Sequence, residues 1–441
     1  MREKMTANMQ SLESYWMPFT ANRSFKKSPR LFASAEGMYY QTTEGKKILD
    51  GVAGLWCVNA GHGQKKINDA LKFQIDQMTY SPAFQGGHLG AFEFAERLAN
   101  MFPGDLNHVF FTNSGSESAD TSLKIARAYF KARGNPEKVK LIGRDKGYHG
   151  VNFGGLSVGG IPTARKIYGP FLPEIDHLPH THNVEGNLFS KGQPENGAEL
   201  ADRLLEIIEL HGAETIAAVI VEPMAGSAGV IVPPKGYLER LRQITKENDI
   251  LLIFDEVITA FGRTGDVSTA SLLGIEPDMI NTAKGLTNGA VPMGAVLLSD
   301  EIHDTIMQGP PDVIELFHGY TYSGHPLACA AGIATMDVYE EQDLFKRAAA
   351  LTPFFEKAVH SLARHDLVRD IRNFGIVAAI DLKPREGAPT ARAFEAYLKA
   401  FEKGVLIRTT GDIIALSPPL IVDEKQIETI IDTLDDILAT V

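Results

Sequence analysis

The chain has 441 residues with 43 basic and 55 acidic side chains, a formal net charge of −12 at pH 7. Its composition, 44% hydrophobic and 22% charged, is that of a globular protein and excludes intrinsic disorder; 41 Gly and 23 Pro without a period exclude collagen-like and low-complexity classes. The acidic balance argues against nucleic acid or an anionic membrane as main partners, since both need a basic footprint, yet it leaves room for a small cationic pocket. The length exceeds what one core usually serves, so two domains are expected. Cys57 and Cys329 lie far apart in sequence, and a reducing cytosol is the simpler reading of so few cysteines. The N-terminus has no apolar core of a signal peptide, and the longest apolar runs, such as Ile250–Phe254, are too short to span a bilayer. A soluble, cytoplasmic protein is predicted.

Taken in chain order, the first forty residues read as irregular, followed by a hairpin of Met38–Gln41 and Ile48–Asp50 around Glu44-Gly45. Helical spacing predicts Lys65–Met78 and Gly90–Met101, then a buried strand at His108–Thr112 and a helix over Ser116–Arg133. Strands at Val139–Ile142, Ala217–Glu222, Ile250–Asp255 and Gly294–Leu298 alternate with helices at Glu199–Leu210 and Gly236–Glu247. Such alternation predicts a mainly parallel sheet covered on both faces. Beyond Pro326 the pattern shifts to helices at Leu327–Gln342 and Leu351–His365 and strands at Leu367–Arg372 and Ile376–Leu382, a smaller α+β unit.

Three segments carry candidate chemistry. Thr112–Ser118, TNSGSES, joins a strand to a helix, where small residues and free N–H groups can seat a phosphate or simply cap the helix. The strand Leu251–Asp255 ends in Asp255-Glu256, at the sheet edge where open α/β folds hold ligands. A carboxylate there can bind a metal, act as a base, hold a cationic ligand nitrogen, or merely cap a loop. Lys284 sits among small and apolar neighbours, where desolvation would free its amine as a nucleophile, although most lysines simply snorkel from loops. Its 29-residue spacing from Asp255 leaves room for one unit that returns to the same edge. Two decoys are set aside. Gly155–Gly159 fits the G-x-S-x-G pattern without the buried strand that a serine-hydrolase elbow needs. His177, His180 and His182 cluster around Pro179 in what reads as a surface loop, with no metal-ligand helix beside them.

Together the segments resemble the class III (ω-) aminotransferases, pyridoxal-phosphate enzymes of the aspartate-aminotransferase fold. The matching stretches are WMPFT (16–20), NSGSESAD (113–120), GYHG (147–150), EPMAGSAG (222–229), FDEVITAFGRTG (254–265), TAKGLTNGAVPMGAV (282–296) and HGYTYSGHPLACAAG (318–332). The resemblance implies an α/β fold of fold type I, with an N-terminal segment (1–60) contributing to the small domain, a large cofactor domain (61–325) and a small C-terminal domain (326–441). It implies that Lys284 holds pyridoxal 5'-phosphate covalently and shuttles a proton, while Asp255 pairs with the pyridine nitrogen. Ser114, Gly115 and Ser116 would bind the phosphate, Tyr148 and Val257 would flank the ring, and His149 and Glu222 would stand near the cofactor. Thr321 would reach the phosphate of a neighbouring subunit, which implies a homodimer with shared active sites, or a tetramer of such dimers.

The stretch Ala225–Ala228 lacks the acidic side chain found there in ornithine- and GABA-type relatives and resembles the ω-amino acid:pyruvate subgroup. That subgroup implies a pocket of Phe19, Trp56, Phe84, Tyr148 and Ala225, with Ile258 beside it and Arg408 gripping a substrate carboxylate. The expected reaction moves an amino group from an ω-amino acid such as β-alanine to pyruvate by a ping-pong route. A class III enzyme acting on GABA or a diamine such as putrescine, with 2-oxoglutarate or pyruvate as acceptor, is the alternative. A mutase, or a cofactor-binding protein without catalysis, are further rivals.

Overall fold

A computed structural model of the chain describes residues 12–182 and 186–441; most of the N-terminal stretch read above for a signal peptide lies outside the described residues. The described chain opens on an antiparallel meander of β1 (Phe32–Glu36), β2 (Tyr39–Thr42) and β3 (Lys47–Asp50). Strands β2 and β3 are the predicted hairpin, turning through Gly45 at φ +85°, a conformation that favours glycine. Strand β1 is an addition: its five residues are mostly exposed and give no core signal.

A seven-stranded sheet forms the centre. In chain order its strands are β4 (His108–Thr112), β5 (Lys140–Arg144), β6 (Ile175–Leu178), β7 (Ile216–Val221), β8 (Leu251–Asp255), β9 (Met279–Thr282) and β10 (Gly294–Leu298). Their spatial order is β4-β10-β9-β8-β7-β5-β6. Pairs β6–β5, β5–β7, β7–β8 and β8–β9 are parallel, and β10 runs antiparallel to both neighbours. Every residue of β7, β8, β9 and β10 is buried, as expected where helices cover both faces. Strands β6 and β9 escaped the sequence reading because four residues are too few for a period to emerge and no hairpin turn like Glu44-Gly45 points to them, as it does to β2 and β3.

Helix Gly115–Ala132 packs on this sheet through Ala119, Leu123, Ala126 and Phe130, one face at helical spacing. Its N-cap is Ser114, whose Oγ accepts from Glu117 N at 3.2 Å. Helix Pro326–Glu341 follows the prediction closely. The helix predicted at Leu351–His365 runs instead from Leu344 to His360, with Pro353 inside it and a 3-10 turn from Ser361 to Arg364. The residues 344–350, LFKRAAA, are good helix formers, and Leu344, Ala348, Phe355 and Val359 supply its buried stripe.

The C-terminal sheet contains β11 (Val368–Asn373) and β12 (Ala378–Leu382) and continues through strands the sequence reading left unassigned. Strand β13 (Val405–Leu406) joins β3 in parallel, while β14 (Arg408–Thr410) and β15 (Ile413–Leu416) complete the order β11-β12-β15-β14. Helices Ala391–Lys403 and Glu424–Leu438 cover it; the second opens on a capping box of Asp423 and Gln426. Cys57 and Cys329 are free. Among the described residues no helix is long and apolar enough to cross a membrane.

Strand β5 depends on Gly143. A Cβ there would lie 1.8 Å from the carbonyl oxygen of Val158, which ends the short helix Phe153–Val158. Gly143→Ala is therefore predicted to destabilise the protein by about 2 kcal/mol or more through overpacking. Thermal unfolding checks this as a Tm fall of ~2 °C or more; an unchanged Tm would contradict the tight packing.

Candidate active site

Five parallel or edge strands end along one side of the central sheet, and each delivers residues there. Strand β4 leads to Ser114–Ser116, β5 to Tyr148 and His149, β7 to Glu222, β8 to Asp255 and β9 to Lys284. A cavity of about 210 Å³ at this edge is lined by Gly115, Ser116, Tyr148, His149, Gly150, Glu222, Asp255, Val257, Ile258 and Lys284. The carboxyl edge of such a sheet is where open α/β folds hold ligands.

The two acids at the end of β8 separate. Successive residues of a strand point to opposite faces, and Asp255 faces the cavity while Glu256 turns away. Glu256 accepts from Thr259 Oγ1 at 2.7 Å and from Thr269 N and Ala270 N at 2.8 Å, capping the helix Thr269–Leu273. Asp255 receives Val257 N at 3.2 Å on Oδ1, and its Oδ2 lies 2.8 Å from His149 Nδ1. In this contact a His149 ring N–H at Nδ1 donates wherever the carboxyl oxygen carries no proton of its own. Its Nε2 is buried without a hydrogen-bond partner.

Glu222 is buried beside this pair. Burial raises its carboxyl to about 7, with the Asp255 charge adding to the rise and His149 opposing it. Its Oε1 accepts from Tyr148 N at 2.9 Å and its Oε2 from Gly226 N at 3.2 Å. Lys284 follows β9 at φ +49°, an uncommon backbone for a non-glycine residue and one that recurs at functional sites. Part of its surface faces the cavity, and burial lowers its ammonium pKa, with Asp255 pulling the other way. A raised carboxyl and a lowered ammonium together favour neutral forms of both groups.

Not every predicted residue meets at this cavity. Phe19 is 90% exposed and lines an adjoining cavity of about 740 Å³ with Tyr148, His149 and Phe153. Phe84 is exposed and lies against Gly319 instead of the cavity. Thr321 is exposed too, its carbonyl accepting from Tyr80 OH at 3.1 Å. Trp56 and Ala225 are buried behind the wall; Trp56 packs with Met224, Val230 and Ile258. Arg408, on β14, is near enough to Tyr148 and Lys284 to affect both, and burial lowers its own pKa. Ser114 caps the helix, with its Oγ turned to Glu117 N and away from the cavity.

Gly150 and Arg144 were not singled out in the sequence. A Cβ on Gly150 would meet Ser116 Oγ at 2.3 Å, so only glycine lets the two loops close on each other. Arg144 is buried and donates to Glu222 O at 2.7 Å; an arginine inside a strand gave no signal of that role. Both decoys resolve as structure. Ser157 lies buried in helix Phe153–Val158, donating to Phe153 O and accepting from Leu172 N at 3.1 Å. His177 Nε2 faces Gly159 O at 3.1 Å, and His180 Nδ1 accepts from His182 N at 3.2 Å.

The cavity suits a phosphorylated pyridine aldehyde. Gly115 leaves a gap that a Cβ would close, at 2.9 Å from both Val257 methyls, at the start of a helix of 18 residues whose N-terminal dipole end favours an anion. Lys284 supplies an amine, Asp255 a carboxylate for a ring nitrogen, and Tyr148 and Val257 an aromatic and an apolar wall.

Comparison with known proteins agrees with this chemistry. The family model for class-III aminotransferases matches residues 20–438. An omega-aminotransferase of Caulobacter vibrioides is 58% identical over 430 residues, 98% of each chain. A beta-alanine–pyruvate aminotransferase of Pseudomonas aeruginosa is 50% identical, covering 97% of this chain and 96% of its own. Among solved structures, a thermostable (S)-enantioselective omega-transaminase from Thermomicrobium roseum superposes with a TM-score of 0.91 at 34% identity, covering 98% of this chain and 97% of its own. The chain belongs to the class-III aminotransferase family, and its cofactor is pyridoxal phosphate.

Proposed function

We propose that the enzyme takes the amino group of an ω-amino acid or amine, β-alanine being the reference donor, and gives it to pyruvate in a ping-pong cycle. The donor leaves as an aldehyde or ketone and pyruvate leaves as alanine. The observation that carries this reading is Lys284 across one cavity from the Asp255–His149 pair, with the Arg408 guanidinium nearby. Similarity to the two bacterial relatives supports the donor and acceptor. The bound cofactor supplies an electron sink that makes the amine-bearing carbon acidic. Lys284, whose ammonium burial disfavours, would hold the cofactor through its aldehyde group and would serve, at Nζ, as the base that moves a proton during the reaction. Asp255, oriented by His149 and Val257 N, would hold the ring nitrogen in its protonated form. Gly115 and Ser116 hold the phosphate, and Arg408 pairs with the substrate carboxylate through its planar fork.

A homodimer completes this reading. Thr321, Phe84, Phe317 (93% exposed), Leu89 and Phe92 all lie at the surface of the single chain, and large exposed apolar side chains of this kind suit a surface that a second subunit covers. Thr321 then serves the partner's phosphate site. The division into a segment (1–60), a large domain (61–325) and a small domain (326–441) belongs to the same reading, as does a cytoplasmic location.

An acceptor panel with β-alanine as donor tests the reading: pyruvate is expected to support at least ~10-fold faster turnover than 2-oxoglutarate, the scale of discrimination that one pocket contact provides. The reverse preference overturns the assignment to the pyruvate group. Lys284→Ala is expected to cost ~10³-fold or more in kcat, the scale of lost acid–base catalysis.

Glu222 gives a separate, pH-dependent test. Its folded pKa of about 7 lies above the ordinary 4.5, so the folded state holds a proton that the unfolded state has lost between those values. Its contribution to stability is full below the unfolded pKa and declines as pH rises through the folded one, by on the order of 3 kcal/mol. Glu222→Gln, neutral throughout, should flatten the fall of Tm between pH 5 and pH 8. An identical slope in the two proteins would contradict the shift.

A further inference from the structure

Arg372, on β11, is 3% exposed and takes no part in the cavity wall. Its guanidinium reaches from the C-terminal sheet to the loop that follows β7. Nε donates to Gly229 O at 3.0 Å and Val230 O at 3.1 Å, and Nη2 donates to Gly229 O at 2.6 Å. On its far side Nη1 donates to Asp370 Oδ2 at 2.7 Å and lies 3.7 Å from Asp381 Oδ2. The two carboxylates hold the cation, and the cation holds two buried carbonyls.

That loop needs holding. Gly229 is at φ +104° and Val230 at φ +54°, the second a genuine outlier for a β-branched residue. Such conformations persist only where the surroundings over-determine them. The loop is also bonded into the active site. Ala225 and Ile231 exchange backbone hydrogen bonds of 2.9 and 3.0 Å, and Gly226 N donates to Glu222. A Cβ on Gly226 would lie 2.7 Å from Ile258 Cδ1, and Ile258 lines the cavity. Val230 packs with Trp56 and Ile258. On the opposite side, β11 belongs to the sheet whose edge strand β14 carries Arg408, and Ile413 of β15 fills the space under Gly229.

We propose that Arg372 is a positioning residue for donor selection: by clamping the 225–231 loop to the sheet that bears Arg408, it fixes the span between the pocket floor and the carboxylate-binding guanidinium. Donors with a distal carboxylate depend on that span, and donors without one do not. The inference rests on the reading of Arg408 given above.

The test follows the donor half-reaction of the cofactor-loaded enzyme without keto acid, by the change in visible absorbance, for β-alanine and for benzylamine. Arg372→Met removes the donors at similar length, and Arg372→Lys keeps the charge without the fork. The ratio of kcat/KM for β-alanine to that for benzylamine should fall ~10-fold or more in Arg372→Met, mainly through KM for β-alanine, and less in Arg372→Lys; ~10-fold corresponds to one charge-assisted hydrogen bond. Parallel losses for both donors, or an unchanged ratio, overturn the proposal. Should Arg372→Met not fold, Arg372→Lys decides on the same ratio. Arg408→Ala separates the two readings. If its ratio falls and that of the Arg372 variants does not, the clamp alone is wrong. If its ratio does not fall, the carboxylate role of Arg408 fails and the clamp's role in selection fails with it.

Discussion

The cost of keeping charge out of water governs this protein. Four ionisable groups, Lys284, Asp255, Glu222 and His149, share one enclosed edge of the central sheet, and a low-dielectric site admits few ways of charging all of them. Burial favours free-amine Lys284 and protonated Glu222, and the Asp255 carboxylate is met by the His149 ring and a backbone N–H. The arrangement keeps one carboxylate strongly partnered while the second yields its charge. Lys284 and Asp255 can then stand close together without cancelling each other as an ion pair, as their proposed roles toward the cofactor require.

The fold meets this constraint through strand ends rather than through loops alone. Asp255 ends β8 in register with Asn281 of β9, and Lys284 follows three residues after Asn281. A shift of one residue in β8 would exchange Asp255 and Glu256, turning the cavity acid into a helix cap and the cap into the cavity acid. Such a slip would also take Glu256 from the backbone N–H groups of Thr269 and Ala270 that it accepts from, leaving those buried groups without partners. Stability of the sheet and placement of the chemistry are thus the same requirement.

The parts of this arrangement legible in the sequence were those with a local signature. The apolar strand ending in Asp255-Glu256, the capped helix after Asn113-Ser114 and the lysine among small residues each carry their chemistry within a few positions. Periodicity also marked the long helices and most central strands. What stayed hidden depends on distant partners. Which of Asp255 and Glu256 faces the cavity is decided by a helix that starts at Thr269, and Arg144 matters only because β5 lies beside β7. Strands β13, β14 and β15, of two to four residues, have no period to read and exist because β3 and β12 offer edges to pair with. Phe84 was expected in the pocket and Thr321 at a phosphate through the family resemblance, yet the single chain leaves both at its surface. Under the proposed homodimer both would serve a second subunit, which the spacing of residues along one chain does not mark.

The net charge of −12 and an anion-binding pocket are compatible because they act over different distances. At physiological ionic strength exposed charges are screened beyond about 8 Å, so the acidic exterior has little influence on a ligand inside the cavity. There the positive field comes from the nearest groups, the N-terminus of helix Gly115–Ala132 and the Arg408 guanidinium. Burial that lowers the pKa of Arg408 also strengthens its attraction for a carboxylate that enters and shares its dehydrated surroundings. A dehydrated guanidinium without such a partner is correspondingly unfavourable. Under its proposed role, Arg408 would therefore select carboxylated donors and would also gain from turning toward water when a donor brings no carboxylate.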